Sequence, residues 1–228
     1  MDTQWERMEL LIGAAGSKVL HNSAVIIFGV GGVGSFAVEA LTRAGIGKIS
    51  LVDPDVVCYS NLNRQLPALH STVGEYKVAV LRERIKDINP KCQVEIFKEA
   101  YHKGNSEKFF LTSHDFVVDA IDSVGSKVDL IKQSIDSGIP IVSAMGAGNR
   151  LNFEGFRVGD ISETFGCPLA KAVRRQLKKL GVEKGVTVVF SPEPTMEIKE
   201  GEEIGSISFV PPIVGMMMAG VVVNKILK

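Results

Sequence analysis

From residue 24 onward, short β-branched and apolar runs alternate with longer segments whose apolar positions recur every three or four residues. This is the pattern of successive β-α-β units on a parallel sheet. AVIIF (24–28) reads as a buried strand, VGSFAVEALTRAG (33–45) as a helix ended by Gly45, and KISLVD (48–53) as the second strand. VAVLRERIKDI (78–88) sets Val78, Leu81, Ile85 and Ile88 on one helical face. CQVEIF, DFVVDA and IPIVSA read as further strands, separated by helical stretches around Glu107 and from Leu130 to Ile135. After about residue 150 the alternation loosens into FRVGDI, a helix, VTVVFS and GSISFV, which predicts an antiparallel extension. FVPPIVGMMMAGVVV (209–223) then reads as a buried C-terminal helix, opened by Pro211 and Pro212, with small residues Gly215, Ala219 and Gly220 where another element can approach closely. The expected fold class is α/β: a Rossmann-like, mostly parallel sheet with helices on both faces and an antiparallel C-terminal extension, in one domain over 1–228. The charged connection EPTMEIKEGEEIG (193–205) is expected to be an exposed or mobile loop, and the chain has no internal repeat or low-complexity tract.

Composition changes this picture little but narrows the setting. With 228 residues, 45% of them hydrophobic, the chain can bury one sizeable core. Lys plus Arg equals Asp plus Glu at 26 each, so a polyanionic partner would have to be met by a local cluster of cations. Cys58, Cys92 and Cys167 are odd in number, far apart and never in C-x-x-C spacing, which argues against a disulfide framework and against structural zinc. The four histidines show no ligand spacing and face no nucleophile in the sequence. MDTQWERMELL has no basic segment followed by an apolar one, so no signal peptide is expected. Residues 209–223 are interrupted by prolines and fall short of the roughly 20 apolar residues that span a bilayer. A reduced, cytoplasmic protein without a membrane partner is the expectation.

In a parallel sheet the ligand crevice lies outside the carboxyl ends of the strands. After the first strand comes GVGGVGS (29–35), in which Gly29, Gly31 and Gly34 have G-x-G-x-x-G spacing and Gly32 doubles the central glycine. Such a turn lets phosphate oxygens approach backbone N–H groups at a helix N-terminus. After the second strand comes Asp53, placed where an acid hydrogen-bonds ribose hydroxyls. To this point a nicotinamide dinucleotide fits as well as ATP. DPDVVCYSNLNRQ then sets Asn61, Arg64 and Gln65 on a polar segment, where a dehydrogenase has no need of a fixed guanidinium. Arg64 can fork onto a terminal phosphate, and Lys77, opening the next helix, can add a point charge. Asp122, followed by Ser123, stands just past the fourth strand, suited to a hydrated Mg²⁺ held partly by substrate phosphates or, alternatively, to capping the next helix.

In order, G-x-G-G-x-G-S, D-x-D, S-N-L-N-R-Q, a following Lys and D-x-x-D-S resemble the ThiF/MoeB and ubiquitin-activating superfamily of ATP-dependent adenylating enzymes, over essentially the whole chain from Arg7. The resemblance implies that Gly29, Gly31, Gly32 and Gly34 contact phosphate, that Asp53 holds ribose, and that Asn61, Arg64 and Lys77 grip the triphosphate. It implies that Asp122, with Ser123 beside it, organises Mg²⁺, that no zinc is used, and that a monovalent cation has room in a loop. By the same resemblance Arg7, in RMELLIG, reaches the nucleotide site of a second subunit in a homodimer. The part over about 20–150 would bind nucleotide and the part over about 151–228 would face the substrate.

Within the superfamily, RMELLIG, SAMGAGNRL (143–151), the DI…T…PLAKAVRRQLKKLGV block (160–182) and GSISFVPPIVG (205–215) resemble the branch that acts on threonylcarbamoyladenosine in tRNA. Cys167 departs from that pattern, which has aspartate before Pro-Leu-Ala. The implied reaction is adenylation of the threonyl carboxylate by ATP, then cyclising dehydration, with release of pyrophosphate and AMP. A tRNA partner would meet the helix LAKAVRRQLKKL (169–180), which is expected to bury Leu169, Val173, Leu177 and Leu180 and to display Lys171, Arg174, Arg175, Lys178 and Lys179 with no acid to neutralise them. A cysteine desulfurase or sulfur-acceptor partner is suggested by the resemblance alone. The competing readings are an adenylyltransferase for the C-terminus of a ubiquitin-like sulfur carrier, and an NAD-dependent oxidoreductase.

Overall fold

A computed structural model describes residues 4–110, 114–196, 201 and 204–228. Among the described residues, seven helices, α1 (Glu6–His21), α2 (Gly34–Arg43), α3 (Lys77–Ile88), α4 (Ser106–Phe110), α5 (Val124–Asp136), α6 (Pro168–Lys179) and α7 (Val210–Ile226), flank one sheet. Its strands are β1 (Ala24–Phe28), β2 (Lys48–Val52), β3 (Gln93–Phe97), β4 (Phe116–Asp119), β5 (Ile141–Ala144), β6 (Arg157–Asp160) and β7 (Thr187–Phe190). The spatial order is β3-β2-β1-β4-β5-β7-β6, parallel except for β6, which runs antiparallel to β7 at the edge. The strand order reverses direction between β1 and β4, so the ligand crevice of the fold falls beside the end of β1.

The continuous apolar runs follow from burial on both faces. Val25 and Ile27 point into one core with Leu41 of α2, Leu81 of α3 and Val214 and Met218 of α7, whereas Ile26 and Phe28 point into a second core with Leu130 of α5 and Val173 and Leu177 of α6. Helix α7 packs closely on α2: a Cβ at Gly215 would stand 2.2 Å from the carbonyl oxygen of Val33, so only glycine permits that approach. Pro211 and Pro212 sit in the first turn of α7, where no backbone N–H is missed. Among the described residues no helix is long and apolar enough to cross a membrane.

Three expectations need correction. GSISFV is not a strand; residues 204–207 carry no regular structure, and α7 begins at Val210, because the proline pair fixes a helical start rather than a ladder. Leu180 is exposed, since α6 ends at Lys179 and the chain leaves the sheet there. Leu169 is half-buried, packing at the edge of the second core while also lining a cavity. Helix α1 kinks at Gly13 (φ 70°); Met8 and Ile12 pack on the core while Leu10 and Leu11 remain exposed. Of the connection 193–205, residues 197–200 and 202–203 lie outside the described residues.

Candidate active site

Strand register brings the segments of interest to one edge. Phe28 pairs with Val52 and with Asp119, and Asp119 pairs with Ser143, so the residues that follow β1, β2, β4 and β5 emerge side by side. There a cavity of about 650 Å³ opens, lined by the glycine turn, residues 52–55, Arg64, Gln65, Lys77, residues 120–123 and 144–149, Cys167–Leu169, Thr195, Ile204, Ser206 and Pro211. That volume is within the range of about 300–1,000 Å³ usual for small-molecule sites.

The glycine turn is dictated by sterics. Gly29 has φ 80°, and a Cβ there would stand 2.7 Å from the Ala120 carbonyl oxygen; a Cβ at Gly34 would stand 1.8 Å from the Gly29 carbonyl oxygen. Gly31 and Gly32 line the cavity, with Gln65 beside the first and Arg64 and Pro211 beside the second. Asp53 is buried and braces the turn: its Oδ2 accepts the Val30 N–H at 2.7 Å, and its Oδ1 accepts the Asp55 N–H at 2.9 Å. Burial raises the Asp53 pKa above the usual carboxylate value, against those two N–H bonds and the Lys77 charge. Each oxygen keeps a lone pair for a further donor.

Two cations line the same cavity. Lys77 is buried along its stem, and its Nζ donates to Asp55 Oδ2 at 2.8 Å. Arg64 is held by Nη1, which donates to the Ser60 carbonyl (2.8 Å) and to Asn63 Oδ1 (2.7 Å), leaving its other N–H groups unspent. Asp122 is exposed at the cavity rim and makes no hydrogen bond or ion pair with a described residue. The N-cap of α5 is Ser123, so Asp122 is not the capping residue.

Two expected site residues, Asn61 and Arg7, the latter expected to reach a second subunit, do not line this cavity. Asn61 does not line the cavity; its Oδ1 accepts the Cys58 N–H at 3.1 Å and closes the short 3₁₀ turn Tyr59–Asn61, which in turn presents Arg64. Arg7 is exposed on α1, away from the cavity lining. On α6, Lys171, Arg175, Lys178 and Lys179 are exposed, but Arg174 is tied to the carbonyl and hydroxyl of Thr164. Lys178 meets Glu183 at 3.4 Å, so the acid absent from the helix is supplied just beyond it. Sequence reasoning missed the fully buried Asp119, Lys127 and Ser143, the wall 144–149, and the start of α6 as cavity lining. Signals for some of these came only through the resemblance: D-x-x-D-S begins at Asp119, SAMGAGNRL spans Ser143 and the wall 144–149, and the PLAKAVRRQLKKLGV block holds the start of α6, whereas Lys127 carried none.

The fold and this edge define a Rossmann-like α/β protein with a glycine turn at the switch point, a buried acid bracing it and two cations lining the same cavity. The chain belongs to the ThiF family, whose model matches residues 5–228. It is similar to the tRNA threonylcarbamoyladenosine dehydratase of Bacillus subtilis (strain 168), at 45% identity over 241 residues that cover 99% of this chain and 95% of the relative. A probable molybdopterin-synthase adenylyltransferase of Gracilaria tenuistipitata var. liui is 29% identical over 201 residues, covering 86% of this chain and 56% of that protein. Among solved structures, E. coli tRNA N6-threonylcarbamoyladenosine dehydratase, TcdA, in complex with ATP matches with a TM-score of 0.93 at 35% identity, over 98% of this chain and 93% of that one.

Proposed function

We propose that this chain is an ATP-dependent enzyme that adenylates the threonyl carboxylate of threonylcarbamoyladenosine in tRNA and then closes the ring with net loss of water. The observation that carries the reading is the presence of Arg64 and Lys77 in the same cavity as the glycine turn, with Arg64 beside Gly32, in a chain alike over its whole length to dehydratases of that name. A cavity built only for a dinucleotide would not place two cations where a terminal phosphate lies.

A carboxylate cannot expel oxide, so dehydration requires a better leaving group. Attack of the carboxylate oxygen on the α-phosphorus of ATP forms the acyl-adenylate and breaks the bond to pyrophosphate. The neighbouring ureido nitrogen then attacks the acyl carbon, loses its proton, and expels AMP. In the first step charge moves onto the β,γ-phosphates, where Arg64 and Lys77 stand; backbone N–H groups of the glycine turn face the α-phosphate, and Asp53 takes the ribose. Catalysis of this kind is positioning plus charge stabilisation, and no protein nucleophile is required. The donor set fits a divalent cation of one kind: the described residues contain no cluster of three His, Cys, Asp or Glu, yet Asp122 offers an unpartnered carboxylate at the rim, the arrangement of Mg²⁺ bound by one carboxylate, waters and phosphates. When bound there it would neutralise phosphate charge.

The rest of the reading concerns partners. Helix α6 starts in the cavity wall at Pro168 and ends in exposed lysines, so it runs from the chemistry to a surface able to hold tRNA phosphates. A homodimer would bring Arg7 of one subunit toward the other's site and cover the bare Leu10 and Leu11. A cytoplasmic location suits a tRNA substrate, and a cysteine desulfurase partner rests on family resemblance alone. The deciding experiment incubates the protein with ATP, Mg²⁺ and modified tRNA and measures the nucleoside mass. Loss of one water is expected; active protein that leaves the mass unchanged, but exchanges pyrophosphate when given a carrier protein, points instead to the sulfur-carrier reading.

A further inference from the structure

Directly behind Asp122 lies a charged cluster that does not line the cavity. Asp119 ends β4, Lys127 lies in α5 and Ser143 in β5, and all three are fully buried. One carboxylate joins them. Lys127 Nζ donates to Asp119 Oδ2 at 2.8 Å, the Ser143 hydroxyl donates to the same oxygen at 2.6 Å, and Lys127 Nζ also reaches Ser143 Oγ at 3.2 Å. The second oxygen, Oδ1, accepts the Ile121 N–H at 3.1 Å.

Taking two charges out of water is costly, and an apolar set of like volume commonly serves stability as well or better. The other residues of these strands, Phe116, Val117, Val118, Ile141 and Val142, are apolar, so the cluster interrupts a core that would pack without it. What the apolar set could not do is hold the loop above. Residues 120–123, which carry Asp122, have no regular structure between β4 and α5. The leading end of that segment is fixed by Ile121 on Oδ1, and the trailing end by Lys127, one turn into α5, on Oδ2. Ser143 fixes the strand that opens into the facing wall at Ala144, Met145 and Gly146.

We propose that Asp119, Lys127 and Ser143 form a positioning cluster that sets where Asp122 stands in the cavity and how far it lies from the wall 144–149. None of them is a catalytic residue; they act through Asp122 and the backbone on either side. This rests on the reading of Asp122 as the carboxylate beside Mg²⁺ and the ATP phosphates. Partners that orient a metal-binding group typically change affinity or activity by about 10–100-fold when lost.

The test measures ATP affinity by calorimetry with Mg²⁺ and with EDTA, together with thermal melting and the kcat of ATP–pyrophosphate exchange. Wild type should bind ATP more tightly with Mg²⁺, and Asp122→Ala should remove that gain. The paired replacement Asp119→Leu with Lys127→Met should melt cooperatively near wild type yet lose about 10-fold or more of the Mg²⁺ gain, with kcat falling further than KM rises. Asp119→Asn with Lys127→Gln keeps hydrogen-bonding shape without the charges, and should lose a smaller part, about 3-fold. If the apolar pair does not fold, the polar pair decides alone. A folded variant with the full Mg²⁺ gain and unchanged kcat makes the cluster structural only and overturns the proposal. If wild type shows no Mg²⁺ gain, or Asp122→Ala retains it, the assignment of Asp122 fails first and the proposal with it.

Discussion

The two walls of the cavity are built by different means. One wall comes mostly from one stretch of chain, 28–77, in which a strand, a glycine turn and a helix follow one another and Asp53 braces the turn, with residues 120–123 added to it. The facing wall is assembled from separate pieces, 144–149, 167–169, Thr195, Ile204, Ser206 and Pro211, held by contacts between distant parts of the chain: Arg150 Nη1 donates to the Glu193 carbonyl at 2.6 Å, and Asn149, at φ 52°, donates its backbone N–H to the Gly205 carbonyl at 2.8 Å. One wall is a backbone shape fixed by sterics, and the other a packing arrangement fixed by partners. The first should fail abruptly when altered, and the second gradually.

The largest expected effect is on turnover, at Arg64 and Asp122, two charged side chains that line the cavity. Arg64→Ala and Asp122→Ala should each cut kcat/KM for ATP–pyrophosphate exchange by roughly 1,000-fold, the scale on which a charge that stabilises phosphoryl transfer acts. Circular dichroism and melting should stay as in wild type, because Arg64 is only half-buried and Asp122 is exposed. Near-normal exchange in both variants would remove the cations and the acid from the mechanism. Next comes a direct contrast between the walls. Gly34→Ala puts a methyl 1.8 Å from a backbone oxygen, so the turn itself must move, at about 3 kcal/mol in urea unfolding and with loss of ATP binding. Gly148→Ala meets Ile204 Cγ2 at 2.3 Å, but Ile204 is 68% exposed and can rotate away, so the cost should stay below about 1 kcal/mol. Equal destabilisation by the two would refute the contrast.

This difference also decides what could be read from sequence. The turn at residues 29–35, Asp53 and Lys77 were legible because each follows a strand or opens a helix whose period is local, and local sterics settle the conformation. Arg64 was legible as a cation but not as one oriented by Ser60 and Asn63, and no spacing announces that the Asn61 carboxamide oxygen accepts the Cys58 N–H. Lys127 reads as an ordinary polar helix position; its partners lie 8 and 16 residues away on two strands, and only the folded sheet brings them together. The facing wall was illegible for the same reason. GSISFV has the composition of a strand, yet no strand receives it, because β6 already closes that edge of the sheet and the prolines start α7.

A third effect lies behind the nucleotide wall, where α2 is latched to α3. Glu39 is buried and accepts from Arg84 Nε and Nη2 at 2.7 and 2.9 Å and from Arg43 Nε at 2.7 Å. Burial pushes its carboxyl up, but the Arg84 and Arg43 contacts outweigh that and hold it below the usual 4.5. A depressed acid stabilises the fold above its unfolded pKa and loses that stabilisation as pH falls through the folded one. Glu39→Gln should therefore cost about 1–2 kcal/mol at pH 7, with the gap between the two proteins closing below pH 4.5. A gap that stays constant down to pH 3 would mean that the latch is packing and not charge.

The smallest expected effect is at Cys167, on the facing wall. Its thiol is 3% exposed and accepts the Ala170 N–H at 3.5 Å, a weak N-cap for α6 where related chains of the tRNA-directed branch are expected to have aspartate. The same side chain touches the cavity, so a thiol nucleophile and a cap are distinct assignments for one atom. Serine keeps the cap and is the better acceptor, but is a far weaker nucleophile at this pH. Cys167→Ser should hold kcat within about 2-fold and change stability by no more than about 0.5 kcal/mol, as a substitution that keeps the function of a packed position. The acyl-adenylate route needs no acyl-enzyme, and the substitution tests that directly: a large fall in kcat with ATP binding and melting unchanged would show a covalent step on this sulfur, and would turn the facing wall from a packing surface into part of the chemistry.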